Sequence, residues 1–428
     1  MTTETHASSG AHPRRITTSL AGVGGTLRQA PEDFVVEEIP LYEPSGSGEH
    51  RYLRIEKREL PTLDAISILV RHLGVRRRDV GYAGLKDKHA VTRQWVSVYD
   101  SHAKNHDLGM LRDDRIRIVD ESRHTNKLRR GHLKGNRFAI TIRDPVGTPE
   151  RARDTLEALS RSGLPNRFGE QRFGVRANNH LLGRALLRDR HDEFLELLLA
   201  PTGESRADSD ARELYAQGRY QEAINAFPRG ARAECLALKA LLDGLEGRAL
   251  VNRIDETTRM FWLSSFQSHV FNRVLDQRID DDALDTLRMG DIAALLRDGK
   301  SGSTFPVTQD DLDDPRTPER LRTFDLSPTG PLWGARMARA QGVVDDTETG
   351  ALLETGVTID HINAFAQRHS TRLMRGDRRA LRVPVMDTSV ESLQGEHDRS
   401  IVCRFTLPPG SFATIVMDEI MKPEPTDA

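Results

Sequence analysis

The sequence predicts an α+β protein, because strand-forming segments hold the first third and the end of the chain while helical periodicity holds the middle. Residues 115–120 (RIRIVD) and 137–143 (RFAITIR) alternate apolar and polar side chains, as strands with one buried face do. From about residue 175 to Gly244 the apolar stripes LLGRALL, EFLELLLA and ECLALKALLDG follow helical spacing. Residues 400–407 (SIVCRFTL) then return to strand character.

Taken in order, residues 33–39 (DFVVEEI) and 52–56 read as short strands, joined by the Gly- and Ser-rich stretch 44–48. Glu37 and Glu38 read as solvent-facing strand charges. Leu63, Ile66, Leu69, Val70 and Leu73 recur at three- and four-residue spacing, so a helix ends near Gly74. Residues 94–99, β-branched and aromatic, read as a strand. Thr148 and Pro149 open a helix to about Arg161, as N-cap and first helical residue. Residues 261–279 (FWLSSFQSHVFNRVLDQRI) form another helix, and 327–334 (SPTGPLWG) a turn-rich loop. RYQEAINAF is similar to one helix of a tetratricopeptide repeat, but no second copy follows, so it reads as a plain amphipathic helix.

With 428 residues the chain is long enough for two domains with separate cores. No run of eighteen apolar residues predicts a membrane span. The start, MTTETHASSGAHPRR, lacks the apolar region of a secretory signal and reads as a disordered tail, as does the final KPEPTDA. Cys235 and Cys403 form no motif, which suits a reducing cytoplasm. There is no CxxC pair, HExxH or P-loop; GVGGT at 22–26 follows no strand, and His102 and His106 lack acidic or cysteine partners. No cofactor and no metal are therefore expected. A net charge of −2 does not announce a nucleic-acid binder. Basic runs nevertheless stand at 76–78, 127–134 and 372–382, against acidic runs at 276–285 and 310–314. Segregated in this way, basic surface can track a phosphate backbone, or it can be solvated helix faces.

The densest chemistry lies at 81–96, GYAGLKDKHAVTRQWV. Gly81 and Gly84 allow a tight turn that presents Asp87 between Lys86 and Lys88. Opposite charge nearby favours the carboxylate, which is then available as a nucleophile or electrostatic stabiliser. From spacing alone, KDK is more often a solvated turn with a surface ion pair. The stretch closely resembles, however, the signature loop of the TruD family of tRNA pseudouridine synthases. PEDFVVEE, the GNRF segment at Asn136, LPNRFGEQRFG at 164–174, the 261–279 helix, SPTGPLWG and the closing PPGSFATIVMDEIM resemble further family motifs.

The resemblance implies that Asp87 is the catalytic nucleophile, that Phe34 and Phe412 lie against the target base, and that Asn136 lines the uridine site. Lys86 and Lys88 would support the loop, by keeping Asp87 ionised or by binding phosphate. Without the resemblance, Phe34 is a core aromatic and Asn136 a turn residue. Arg167 stands where the family usually has Tyr, so no role is carried to it. The implied fold is a pseudouridine-synthase catalytic domain with a mixed, largely antiparallel sheet, interrupted by a mainly α-helical TRUD insertion domain. The expected division is a tail at 1–15, catalytic residues 16–164 and 386–428, and an insertion at 165–385. The implied function is isomerisation of uridine, usually uridine-13, in tRNA, by a cytoplasmic protein for which a monomer is favoured. A catalytically silent RNA-binding or RNA-folding protein would bind tRNA with Asp87 dispensable. An Asp-dependent nucleoside hydrolase would act on small substrates without RNA.

Overall fold

The computed structural model describes residues 13–99, 111, 113–203, 206–297, 300–369, 373–394 and 399–422. His102 and His106, and the tails at 1–12 and 423–428, lie outside these residues. Of the segment read as an N-terminal tail, Arg15 is held by the Asp418 carboxylate at 2.9 and 3.0 Å, and the Ile16 and Thr17 amides donate to Glu419.

The first part of the chain forms β1 (Phe34–Pro40), β2 (His50–Arg58), α1 (Thr62–Leu73), β3 (Val80–Tyr82), β4 (Val91–Tyr99), β5 (Ile116–His124), β6 (Leu133–Arg143) and α2 (Pro149–Ser162). The middle opens with β7 (Leu164–Pro165) and continues as α3 (Asn179–Leu187), α4 (His191–Leu199), α5 (Ser209–Ala216), α6 (Tyr220–Ala226), α7 (Arg232–Leu242), α8 (Gly247–Val251) and α9 (Glu256–Asp280). A smaller α+β segment follows: β8 (Ile292–Arg297), β9 (Lys300–Pro306), α10 (Gln309–Asp313), α11 (Thr317–Arg322), β10 (Leu326–Leu332), α12 (Gly342–Leu353), α13 (Ile359–His369) and β11 (Asp377–Ala380). The chain then returns through β12 (Arg382–Val383), β13 (Met386–Gln394), β14 (Arg399–Leu407) and α14 (Ala413–Met421).

The large sheet runs in the order β13-β14-β6-β1-β4-β2-β5, with β3 added on β4. Among the described residues only β1 and β4 pair in parallel; the other pairings are antiparallel, so the sheet is mixed and largely antiparallel. β14 pairs with β6 and β13 with β14, which joins the two ends of the chain in one sheet across the long helical insertion. Local chemistry explains the ends of the elements. Gly74 terminates α1 in the left-handed region at φ 61°, where glycine carries no Cβ penalty. Asp255 caps α9 by accepting from the Thr258 amide. The insertion packs around its own apolar cluster, which includes Phe194, Leu238, Trp262 and Phe266, while Phe34, Phe138, Ile140 and Phe405 of the sheet pack against α2 and α14.

Two expectations are corrected. SPTGPLWG is not a loop: most of it is the buried strand β10, paired with β8 and β11. Glu38 is not solvent-facing. It lies on the same strand face as Phe34 and Val36, and all three are buried.

Candidate active site

Sheet order brings the predicted residues together. β14, β6, β1 and β4 are neighbours. Asn136 on β6 pairs across from Glu38 on β1, and on its other side from Leu407, just ahead of the turn that carries Phe412. Phe34 opens β1, whose Val35 pairs with Val91 at the start of β4, a few residues after Asp87. Phe34, Lys86, Asp87, Lys88, Asn136 and Phe412 all line one cleft of about 2060 Å³.

The Asp87 loop has no regular secondary structure and is fixed by side chains from elsewhere. The Gln94 amide donates to the Gly84 carbonyl at 3.2 Å, and Thr62 Oγ1 accepts from the Lys86 amide at 2.9 Å while donating to Gln94 Oε1. Lys57, fully buried on β2, donates from Nζ to the Asp87 carbonyl at 2.7 Å. Burial pulls the Lys57 ammonium down to about 8, against the opposing pull of nearby Asp87, and Lys86 lowers it further. Among the described residues, no hydrogen bond or ion pair occupies the Asp87 carboxylate, and Asp87 lines the cleft.

The two lysines of KDK part company. Lys86 turns inward and pairs with Glu38 Oε2 at 2.7 Å, with both side chains almost completely buried. Glu38 Oε1 also accepts from the Trp95 amide. Desolvation pushes the Glu38 carboxyl up, and the Lys86 charge opposes that rise. Lys86 is thus committed to the scaffold, whereas Lys88 is exposed at the cleft.

The remaining residues present surfaces. Phe34 is buried, 1% exposed, with the Arg28 guanidinium 4.5 Å from its ring centroid and Phe138 edge-on at 6.3 Å. Asn136 Oδ1 and Ser411 Oγ are buried without a hydrogen-bond partner. Unsatisfied buried acceptors are uncommon, so a cleft that holds one is suited to a ligand's polar edge. Phe412 lies 6.4 Å from Phe168, whose ring carries Arg379 at 4.2 Å. Arg379 in turn donates to the Asn166 and Gly410 carbonyls, tying the insertion to the Phe412 turn. Arg167 also lines the cleft and pairs with Asp276. Among the described residues, no group of three or more His, Cys, Asp or Glu side chains could hold a metal ion.

Lys57, Glu38 and Arg28 are the site residues that motif reading missed. Strand parity carried a signal for two of them: Leu53, Ile55 and Lys57 share a buried face, as do Phe34, Val36 and Glu38.

Fold and cleft together define an α+β protein whose mixed sheet presents a carboxylate loop toward a helical insertion. The family model for tRNA pseudouridine synthase D (TruD) matches residues 13–420, and the chain belongs to that family. It is 39% identical over 411 residues to the tRNA pseudouridine synthase D of Syntrophotalea carbinolica, covering 95% of this chain and 98% of that one. It is 40% identical to that of Geobacter metallireducens, covering 96% and 98%. The crystal structure of a Methanosarcina mazei protein assigned as tRNA pseudouridine synthase D superposes with a TM-score of 0.79 at 28% identity, covering 95% of each chain.

Proposed function

We propose that this chain isomerises uridine to pseudouridine in tRNA, at uridine-13, with Asp87 as nucleophile. The observation that carries the reading is the Asp87 loop, fixed by Gln94, Thr62 and Lys57 so that an unpaired carboxylate meets a cleft lined by Phe34, Phe412 and the unsatisfied Asn136 amide. The uridine leaves its stack and enters the cleft, where aromatic rings grip the base. Phe412 and Phe34 serve that grip once Arg28 moves off the Phe34 ring, and Asn136 bonds the base's polar edge. The N1–C1′ bond breaks, with the Asp87 carboxylate attacking the sugar or the pyrimidine ring. The base then turns, C5 bonds to C1′, the C5 hydrogen leaves to solvent and N1 takes a proton. Retaining glycosidases use a carboxylate for a related glycosyl transfer. Lys86 works through Glu38 as a structural anchor, and Lys88 is left to meet phosphate. We assign the catalytic unit to residues 16–164 and 386–428, and the insertion to 165–385.

The test is tritium release from tRNA carrying 5-tritiated uridine. Wild type should release tritium, and Asp87→Asn should lose activity on the order of 10⁶-fold, as removing a nucleophile from a cooperating site does. A transcript with cytidine at position 13 should release less tritium than the parent, by one site's share. No release by wild type that still binds tRNA would favour a silent RNA-binding protein. Equal release by both proteins would remove Asp87 from the mechanism.

A further inference from the structure

The wall of the cleft that belongs to the insertion carries side chains that the isomerisation above leaves unused. His180 and Arg184 lie four residues apart on α3, and His269 and Arg273 four apart on α9, so each pair shares a helix face. The two helices approach closely because Gly183 has no side chain: a Cβ there would lie 2.2 Å from the Trp262 carbonyl oxygen. The His180 and His269 rings consequently stack, with centroids 4.3 Å apart and planes 21° from parallel. Phe173 stands edge-on to both, at 5.5 and 6.3 Å.

These five side chains line the same cleft as Asp87. Burial pulls His180 down to about 3 and His269 to about 4, with neighbouring positive charge adding to the fall, so both imidazoles are neutral at neutral pH. Arg184 bonds Glu193 at 2.6 Å, a carboxylate it shares with Arg188, and Arg273 pairs with Glu354, so both arginines of the patch are already engaged. His180 Nδ1 and the Nε atoms of Arg184 and Arg273 are buried with no hydrogen-bond partner. Three such atoms lie together in this stretch of wall, and a group bound there would give them partners.

The chemistry selects the occupant. Arginines already engaged by carboxylates have little to offer a phosphate, whereas flat rings with a donor and an acceptor on each neutral imidazole suit a nucleobase. The cleft also exceeds the roughly 300–1,000 Å³ that one small ligand needs, so it has room for more than the target nucleotide. The geometry points to a second base-binding seat on the insertion wall, in which Phe173, His180 and His269 take the unpaired base of a nucleotide neighbouring the one at Asp87. This rests on reading the cleft as an RNA-modifying site.

The experiment measures tritium release and tRNA affinity for wild type, His269→Ala, His269→Phe and Phe173→Leu. Each is assayed on intact transcripts and on transcripts with a single abasic nucleotide within three positions of the target. Base stacking of this kind predicts that His269→Ala raises KM about tenfold with kcat unchanged, and that His269→Phe, which keeps a ring, recovers part of that loss. One abasic transcript should show the same rise with wild type and no further rise with His269→Ala. Thermal melting identifies any variant that has unfolded, and the remaining variants then decide. An unchanged KM in the folded variants, or losses that multiply at every abasic position, would overturn the seat. Should wild type release no tritium, the proposed reaction fails, and the same non-additivity read in tRNA affinity still decides the seat.

Discussion

Lys57 holds the Asp87 backbone directly, and its titration should be visible in the rate. Its folded pKa, about 8, lies below the ordinary lysine value of 10.5, so charging it costs the native state below about pH 8, and stability rises with pH between those values. Activity should move the other way. The ammonium beside Asp87 is lost above about pH 8, and kcat/KM should fall there as a single ionisation. Lys57→Arg should move that limb out of range, and Lys57→Met should lower kcat/KM about 100-fold by letting the loop shift. A pH–rate profile flat to pH 10 would show that the Lys57 charge is not used. Glu38 answers to stability instead. Replacing it with Ala strands the Lys86 ammonium in a buried site, which should cost about 3 kcal/mol in urea unfolding. Sequence made Asp87 legible because its motif is contiguous. Two of its supports were hidden because Lys57 and Thr62 lie on β2 and α1, which only the fold brings to the loop, while Gln94 stood in the stretch with nothing to mark its contact.

At the scale of elements, small residues mark close approach. Turn-forming composition made SPTGPLWG read as a loop, yet its Ser, Thr and Gly residues suit a strand pressed against α9. A Cβ at Gly330 would come within 3.0 Å of the Phe271 ring, and Thr329 Oγ1 bonds the Ile292 carbonyl. Composition cannot distinguish a residue that is small because the chain turns from one that is small because a helix lies on it. Helices with clear apolar periodicity, such as α1 and α7, were legible because one face decides their burial. Gly183 tests the argument about close packing. Ala would gain about 1 kcal/mol in helix propensity, but its Cβ would meet a backbone oxygen that cannot swing aside. Overpacking costs of about 1–3 kcal/mol should win, so Gly183→Ala should lower the urea midpoint. The same change should raise KM for tRNA by separating His180 from His269. A more stable Gly183→Ala protein would mean that α3 and α9 can part without loss.

For the whole molecule, a net charge of −2 conceals how charge is distributed. Part of the acidic runs is neutralised locally: Asp276 pairs with Arg167, Asp281 with Arg288 and Asp314 with Arg316. The basic runs at 76–78 and 127–130 are far apart in sequence but adjoin in the fold. Lys127 donates to the Arg78 carbonyl, Arg130 lies over Tyr82, and the Gly131 amide bonds the Ala83 carbonyl. Ala83 is four residues before Asp87, so one basic surface flanks the Asp87 loop. Arg77, Arg78 and Arg129 are exposed there and pair with no carboxylate among the described residues. If tRNA lies across this surface, each phosphate contact releases counterions, and log affinity falls with log salt by about 0.9 for each contact with duplex RNA treated as B-DNA is. Changing all three arginines to Gln should therefore reduce the salt slope of tRNA binding by up to about 3. The rate on saturating tRNA should stay unchanged, because these side chains touch backbone and not the reacting base. A variant with the wild-type slope would place the phosphate track elsewhere. A variant with an unchanged slope but a lower saturated rate would show that the surface acts on the Asp87 loop through Tyr82 and Ala83, and not on RNA.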